Sequence, residues 1–540
     1  MPPTTRGNST LALTGLIIAV SMTTIDQTIV ALSGPTIESN LGISHGAMQW
    51  AVNAYLIATA AFFLLGGRLS DVFGHKRMAL IGIAGFGAMS LLCGLAPDGR
   101  FAASWLIGAR VLQGIAGAVM YPAAIGIVVE GFSREGRAKA MATFFGITGA
   151  MTAIGPIAGG YLSQWTWRSV FWVNVPLAIA ALVVVSIAAR PSEPRREHVD
   201  LLGALVIAAG LGLIVFGLEQ AGSAGWTSPE VVGALIAGAV LVAGFGVLER
   251  RLRRPLVRLA VFRDRGFLIA TTSILFASVA FLSTFFFLSV YGQVSLRLNA
   301  TTTGELFLKF FIGFVIAAQI GSRRFDRSGA RRVLLIGGAA GAAGFFWLAE
   351  AVTEIPAHPA AMTNPQTWPI MLAGAGIGFM LSAASTDAVN RSIGASYGEV
   401  TAISQTMRNF GGALGIAVFT TLVTNALASK VTASFVKLGA TPADARSALD
   451  QISGASSAHG GEKALAALPP AVGAQFQHAV QTDYADSVAR AFTGAGIAMA
   501  VVVLLALLYP KGQGQAPAAA PATGAATDAD AATAAGTVRS

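Results

Sequence analysis

The chain has 540 residues, 54% of them hydrophobic and 11% charged, where soluble globular proteins carry about 25% charged residues. That balance excludes a water-soluble chain. The net charge of +10 does not indicate nucleic acid, because the basic residues fall in short loops between apolar runs, and the single cysteine, Cys93, excludes a disulfide framework.

The first apolar run follows directly on residues 1–8, as an uncleaved span rather than a secretory signal with a cleavage site. Apolar runs of about 20 residues, the length a helix needs to cross a hydrocarbon core of about 30 Å, then recur along the chain. The first six cover residues 11–33, 48–66, 78–96, 102–123, 140–162 and 169–189. Two more follow at 201–218 and 231–248. The last six are 267–290, 304–322, 333–350, 369–389, 400–427 and 489–509. Backbone amides find no water in hydrocarbon, so each segment is expected to be helical.

Placing the N-terminus in the cytoplasm puts most of the 36 Lys and Arg in cytoplasmic loops, as the positive-inside rule requires. The expectation is a multi-pass protein of the cell's inner (plasma) membrane, with both termini cytoplasmic. Residues 1–10 are a cytoplasmic N-terminus, and 11–189 a six-helix bundle. Two inserted helices with a basic cytoplasmic linker occupy 190–266. A second six-helix bundle covers 267–510, with 428–488 as a long extracytoplasmic loop. The tail 511–540, rich in Ala, Pro, Thr and Gly, cannot bury a core and is expected to be disordered.

Two loops repeat each other. The loop after the second segment contains Gly67, Asp71, Gly74, Lys76 and Arg77; the loop after the tenth contains Asp326, Gly329 and Arg332. Both read Asp-x-x-Gly-x-x-Arg at an offset of 255 residues. Such a repeat implies a duplicated bundle with a central site.

These and other stretches resemble the major facilitator superfamily, specifically its fourteen-spanner drug:proton antiporters. Asp26-Gln27-Thr28-Ile29-Val30 with Pro35 lies in the first segment. Residues 67–77 match the superfamily's loop signature. Arg110-Val111-Leu112-Gln113-Gly114 resembles the proton-coupling motif. Gly149, Gly155, Pro156, Gly159 and Gly160 resemble the antiporter motif. Trp165, Trp167, Arg168, Phe171, Asn174 and Pro176, and then Arg408-Asn409-Phe410-Gly411-Gly412, are typical of the fourteen-span branch. The resemblance covers about residues 10–510. It implies an all-α major facilitator fold, two six-helix bundles plus two inserted central helices, and a transporter rather than an enzyme. Ala31 stands where the branch usually has Asn.

The residues carry a matching chemistry. A carboxylate at bilayer depth costs on the order of 2.5–3.5 kcal/mol, so Asp26 must face a cavity or a partner. There it can exchange a proton for a cationic substrate. Arg110 is a fixed positive charge, with Gln113 on the same helix face. The loop residues Gly67, Asp71, Gly74, Lys76, Arg77, Asp326, Gly329 and Arg332 are expected to gate the cytoplasmic side. The glycines of the 149–160 stretch would let a helix rock between the halves. Tyr55, Phe285, Lys309, Arg408 and Asn409 are expected to line the pocket, with aromatic faces suited to organic cations or to lipid. Glu305 and Lys309, four apart, are expected to pair, the alternative being contact of Lys309 with an acidic or phenolic substrate.

No phosphate-loop motif occurs, so the energy source expected is the proton gradient, with no cofactor. The six His residues lie in loops without ligand spacing, and no metal site is argued. Expected partners are a small-molecule substrate, protons and the lipid bilayer, with no nucleic acid and a monomeric state. The leading reading is a proton-coupled exporter of hydrophobic or cationic compounds such as drugs, dyes or antibiotics. Export of one endogenous metabolite on the same fold, or a non-transporting membrane sensor, are the alternatives. Dications are expected to be handled less well than monovalent cations or neutral compounds.

Overall fold

The computed structural model describes residues 8–191, 201–251, 259–298, 300–356, 364–391, 397–437 and 470–510. The expected linker positions 192–200 and the tail 511–540 lie outside the described residues. All regular structure is helical among those described. The helices are α1 (Ser9–Leu41), α2 (His45–Phe73), α3 (His75–Gly94), α4 (Ala102–Gly131), α5 (Arg134–Trp165), the short α6 (Ser169–Trp172) and α7 (Asn174–Ala188). They continue as α8 (Leu201–Ala224), α9 (Pro229–Arg251), α10 (Arg265–Val294), α11 (Ala300–Ala351), α12 (Thr367–Asn390), α13 (Tyr397–Lys437) and α14 (Pro470–Leu507).

Local chemistry sets several boundaries. The Asn8 side chain accepts from Leu11 N at 3.1 Å, Ser44 from Ala47 N at 3.2 Å, and Asp264 from Phe267 N at 2.8 Å. Each satisfies an amide that a helix start leaves without a carbonyl partner. Gly42, at φ 63, ends α1 in the left-handed region, where a residue without a Cβ sits free of strain. In α11 the backbone leaves helical geometry at Gly329, φ 73, so that one element carries two spans.

Among the described residues, thirteen helical spans are long and apolar enough to cross a membrane. The expected fifth segment, 140–162, is not among them. It lies in α5, a 32-residue helix whose Gly, Thr and Ser content lowers its hydropathy. Its length of roughly 48 Å at 1.5 Å per residue still exceeds a bilayer core. It packs on α1 and α11 within the bundle. The expected loop 428–488 is helical at both of its described ends. α13 runs on to Lys437 and α14 starts at Pro470, and Lys430 Nζ meets Asp486 Oδ2 at 2.5 Å to tie the two extensions together. Residues 438–469 lie outside those described.

Helices α1–α7 pack as one group and α10–α14 as another, while α8 pairs with α9 and lies against both α2 and α13. Between lipid-embedded helices, close packing replaces the hydrophobic effect, so small residues mark the contacts. A Cβ on Gly66 of α2 would strike the Ala118 carbonyl of α4, and one on Gly376 of α12 the Gly341 backbone of α11. The two groups share a core at the end whose loops carry the basic residues. There Phe267, Ala270, Val389, Val400 and Ile403 pack with Ile125, Val128 and Phe144. At the opposite end the core of Ile29, Ile37, Leu41, Met48 and Phe171 contains first-group residues alone. The seam is closed at the basic end.

Gly376→Ala is expected to cost about 1–3 kcal/mol by overpacking, read as a lower Tm of the purified protein. Gly108→Ala, where a Cβ meets open space, serves as the neutral control.

Candidate functional site

The two intramembrane charges of the first group meet. Asp26 of α1 and Arg110 of α4 form an ion pair through Oδ2 and Nη1, and neither is reached by solvent beyond 1%. Gln113, one turn beyond Arg110, accepts from Arg110 Nη1 at 2.8 Å and donates to Asp26 Oδ1 at 3.1 Å. Arg110 Nε donates to the Ala51 carbonyl at 3.2 Å, and the guanidinium lies 4.3 Å from the centre of the Tyr55 ring. Tyr55, expected in the pocket wall, is instead the floor beneath Arg110 and is fully buried.

Two members of this network carry no expected role in the sequence. Asn174 Nδ2 donates to Asp26 Oδ1 at 3.2 Å and to Ser90 Oγ at 3.0 Å, and Ser90 donates to the Phe171 carbonyl at 2.9 Å. The available signal was a polar side chain inside an apolar run, since such groups are costly unless hydrogen-bonded. The carboxylate thus accepts from an arginine and a glutamine of α4 and an asparagine of α7, the two helices closing over α1. Protonating Asp26 would remove the charge that holds Arg110. Arg110 itself cannot release a proton.

At the basic end, the two repeated loops make the same contact. Gly74 at φ 91 separates α2 from α3, and Gly329 at φ 73 divides α11. Two residues on, Lys76 Nζ donates to the Ser186 and Ala189 carbonyls at 2.7 and 2.8 Å, at the end of α7. Arg331, at the equivalent place in the second loop, donates to the Ala506 and Leu507 carbonyls at 3.4 and 3.5 Å, at the end of α14. Each places a cation on the negative end of a helix dipole. The sequence pointed to Arg332, but Arg332 and Arg77 are both exposed, and Arg331 makes the contact. Asp71 is buried with His75 Nε2 at 3.9 Å, and His75 reaches Glu130 Oε1 at 3.3 Å. His75 is therefore not a loop residue. It is seated against Gly126 of α4, where a Cβ would strike its ring. Gly67 contributes its carbonyl, which accepts from Ser70 Oγ at 2.7 Å. The side chain of Asp326 lies outside the described residues.

On α5, Gly155 and Gly159 face α1. A Cβ on Gly155 would run into Thr28 Oγ1, and one on Gly159 would come within 3.0 Å of Ile29 Cγ1. Gly149 faces the other group, where a Cβ would come within 3.1 Å of the Phe314 ring of α11. This helix is therefore clasped within its own bundle and also forms the seam. Pro156 and Gly160 lie outside the residues whose surroundings are described.

The remaining expected lining residues separate. Phe285 stacks on Phe311 with centroids 5.3 Å apart, and Phe281 packs on Phe285, Phe310 and Phe314. Phe286 is exposed on the outer face. Lys309 is buried and its Nζ donates to Thr367 Oγ1 at 3.1 Å, while Glu305, one turn earlier, is exposed and within electrostatic reach of it. Asn409 is half-buried on α13, one residue beyond Arg408, which lies over Phe281.

Comparison with known proteins agrees with this geometry. Residues 16–416 match the family model of the Major Facilitator Superfamily. The chain is 32% identical over 426 residues to the puromycin resistance protein pur8 of Streptomyces alboniger, covering 77% of this chain and 82% of that protein. It is 28% identical to the tetracenomycin C resistance and export protein of Streptomyces glaucescens, covering 94% and 92%. Among solved structures, the proton:xylose symporter XylE superposes with a TM-score of 0.59 at 12% identity, over 93% of this chain and 96% of that one. That likeness is one of fold.

Arg110→Gln is expected to cost about 3–5 kcal/mol by leaving a buried carboxylate without its cation. Adding Asp26→Asn should recover most of it, as seen in the Tm of purified protein. A double variant no more stable than Arg110→Gln would show that the pair is not what makes the site tolerable.

Proposed function

The chain belongs to the Major Facilitator Superfamily, and on that footing we propose that it is a proton-coupled exporter of hydrophobic organic compounds, antibiotics among them. One observation carries the coupling: the solvent-free Asp26–Arg110 pair with its Gln113 and Asn174 donors. Export is supported by relatives named for antibiotic resistance and export. The positive-inside rule assigns the basic end to the cytoplasm, with both termini on that side of the plasma membrane.

In this state the halves are packed together on the cytoplasmic side. A proton arriving at Asp26 from outside neutralises the acceptor of Arg110. The guanidinium then keeps the Ala51 carbonyl and the Tyr55 face but loses its counter-charge. The contact between α1 and α4 loosens, and with it the preference for the cytoplasm-closed arrangement. Reopening inward lets substrate bind and the proton leave to the less acidic side. One charge crossing 100 mV supplies about 2.3 kcal/mol, enough for a concentration ratio of roughly fifty at 1.4 kcal/mol per decade. No nucleotide is needed. The cycle needs one chain, one small-molecule substrate and protons.

In proteoliposomes, native protein should move a hydrophobic dye in response to an imposed pH gradient. Asp26→Asn should lose at least tenfold of that response while still exchanging labelled against unlabelled dye. An Asp26→Asn protein that responds to the gradient as native does would move the coupling elsewhere.

A further inference from the structure

Arg408 is a second guanidinium inside the bundle, on α13. Counting from Glu399, where that span begins, it lies about 13 Å into the membrane at 1.5 Å per residue. Among the described residues it makes no hydrogen bond and no ion pair. Its guanidinium sits 5.5 Å from the centre of the Phe281 ring, and Tyr121 of α4 is within its electrostatic reach. Charges inside a membrane-spanning bundle pair with one another, with carbonyls, or with what passes through. Arg110 takes the first course. Arg408 does not.

The surroundings indicate what it meets. Arg408 lines a cavity at the seam with Ser385, Thr401, Ser404 and Gln405 on one side and Ile125 and Phe145 of the first half on the other. No carboxylate lines it among the described residues. Thr401 Oγ1 is buried without a hydrogen-bond partner, as are the hydroxyls of Ser278, one turn from Ile274, and Ser382, beside Leu381. Ile274 and Leu381 are themselves in the cavity wall. Orphaned buried hydroxyls are rare enough in folded proteins that each asks for an unseen partner. Here the orphaned hydroxyl of Thr401 shares the cavity wall with one unpaired cation.

We propose that Arg408, with Thr401 and the neighbouring hydroxyls, binds an acidic group on the substrate, a carboxylate or an ionised phenol carried by an apolar aromatic body. Guanidinium offers a planar fork that fits such oxygens through two parallel N–H bonds. The hydroxyls supply further donors, and Ile125, Phe145, Ile274 and Leu381 form the apolar wall. An organic cation is disfavoured at the same place. The Phe281 face that would attract it already carries Arg408, and no anion is present to offset the repulsion. In this state the cavity is about 20 Å³, the room of one water molecule, because the halves are closed there. Parting them at the basic end exposes Arg408 to the cytoplasm, where substrate is taken up. This inference rests on the exporter reading and names its substrate class.

The test compares two planar xanthene dyes of similar size and opposite charge, fluorescein and rhodamine 123. Binding to purified native protein in detergent, by fluorescence polarisation, needs neither transport nor a proton gradient, so its outcome is separate from that of the coupling experiment. Fluorescein should bind at least tenfold more tightly than rhodamine 123. Arg408→Gln should remove that preference, and Arg408→Lys should keep part of it, since the charge remains but the fork is lost. Thr401→Val, which should fold whatever becomes of the Arg408 variants, should weaken fluorescein severalfold and leave rhodamine unchanged. A native preference for rhodamine 123, no binding of fluorescein, or fluorescein binding equal in native and Arg408→Gln proteins would overturn the proposal.

Discussion

An ionised carboxylate and a guanidinium, both shut off from water, persist inside a bilayer only because each supplies the other's counter-charge. Every further donor and acceptor around Asp26 and Arg110 serves that condition. Gln113 bridges the two, Asn174 fills a second lone pair on the carboxylate, and Tyr55 offers its ring face to the arginine. The elements bearing them, α1, α2, α4 and α7, are held in one arrangement by that need. Any change in the charge of Asp26 therefore acts on the packing of four helices at once.

The second constraint is duplication. Lys76 and Arg331 stand at matching places in two loops and cap the last helix of their respective halves. The two positive-φ glycines before them, Gly74 and Gly329, let the chain turn so that the cation reaches those carbonyls. The core, by contrast, is not duplicated. The first half buries a charged pair, whereas the second half buries a sheet of phenylalanines around Phe281 and leaves Arg408 beside it. One half thus encloses a buried ion pair, and the other an aromatic cluster with a guanidinium at its edge.

The seam connects these two tasks. Gly149 against Phe314 and the shared core at the basic end bring α5 into contact with both halves. The same helix interlocks through Gly155 with Thr28, two residues from Asp26. α8 lies across α2 and α13 and so bears on both halves as well. Motion of one half is felt at the charged pair and at the Arg408 cavity through packed backbone rather than through long side chains, because small residues leave no slack.

The hydrophobic run lengths determined that the chain is built of spanning helices, since hydrocarbon allows a spanning backbone no other satisfied form. The loop motif determined the duplication, and the polar residues Asp26, Arg110 and Gln113 stood out because a bilayer makes them expensive. Fold and half of the site were legible for that reason. Tertiary structure alone decided the partners. Asn174, Ser90 and His75 looked like isolated polar residues until α7, α3 and α4 brought them to Asp26, Phe171 and Glu130. Arg331 rather than Arg332 caps α14, because a one-residue step on a helix turns a side chain by about 100°. Segments 428–437 and 470–488 are helical, and Lys430 and Asp486 meet between them. Periodicity and composition record what each segment must avoid; which neighbour relieves it depends on contacts hundreds of residues apart, and those exist only once the helices have packed.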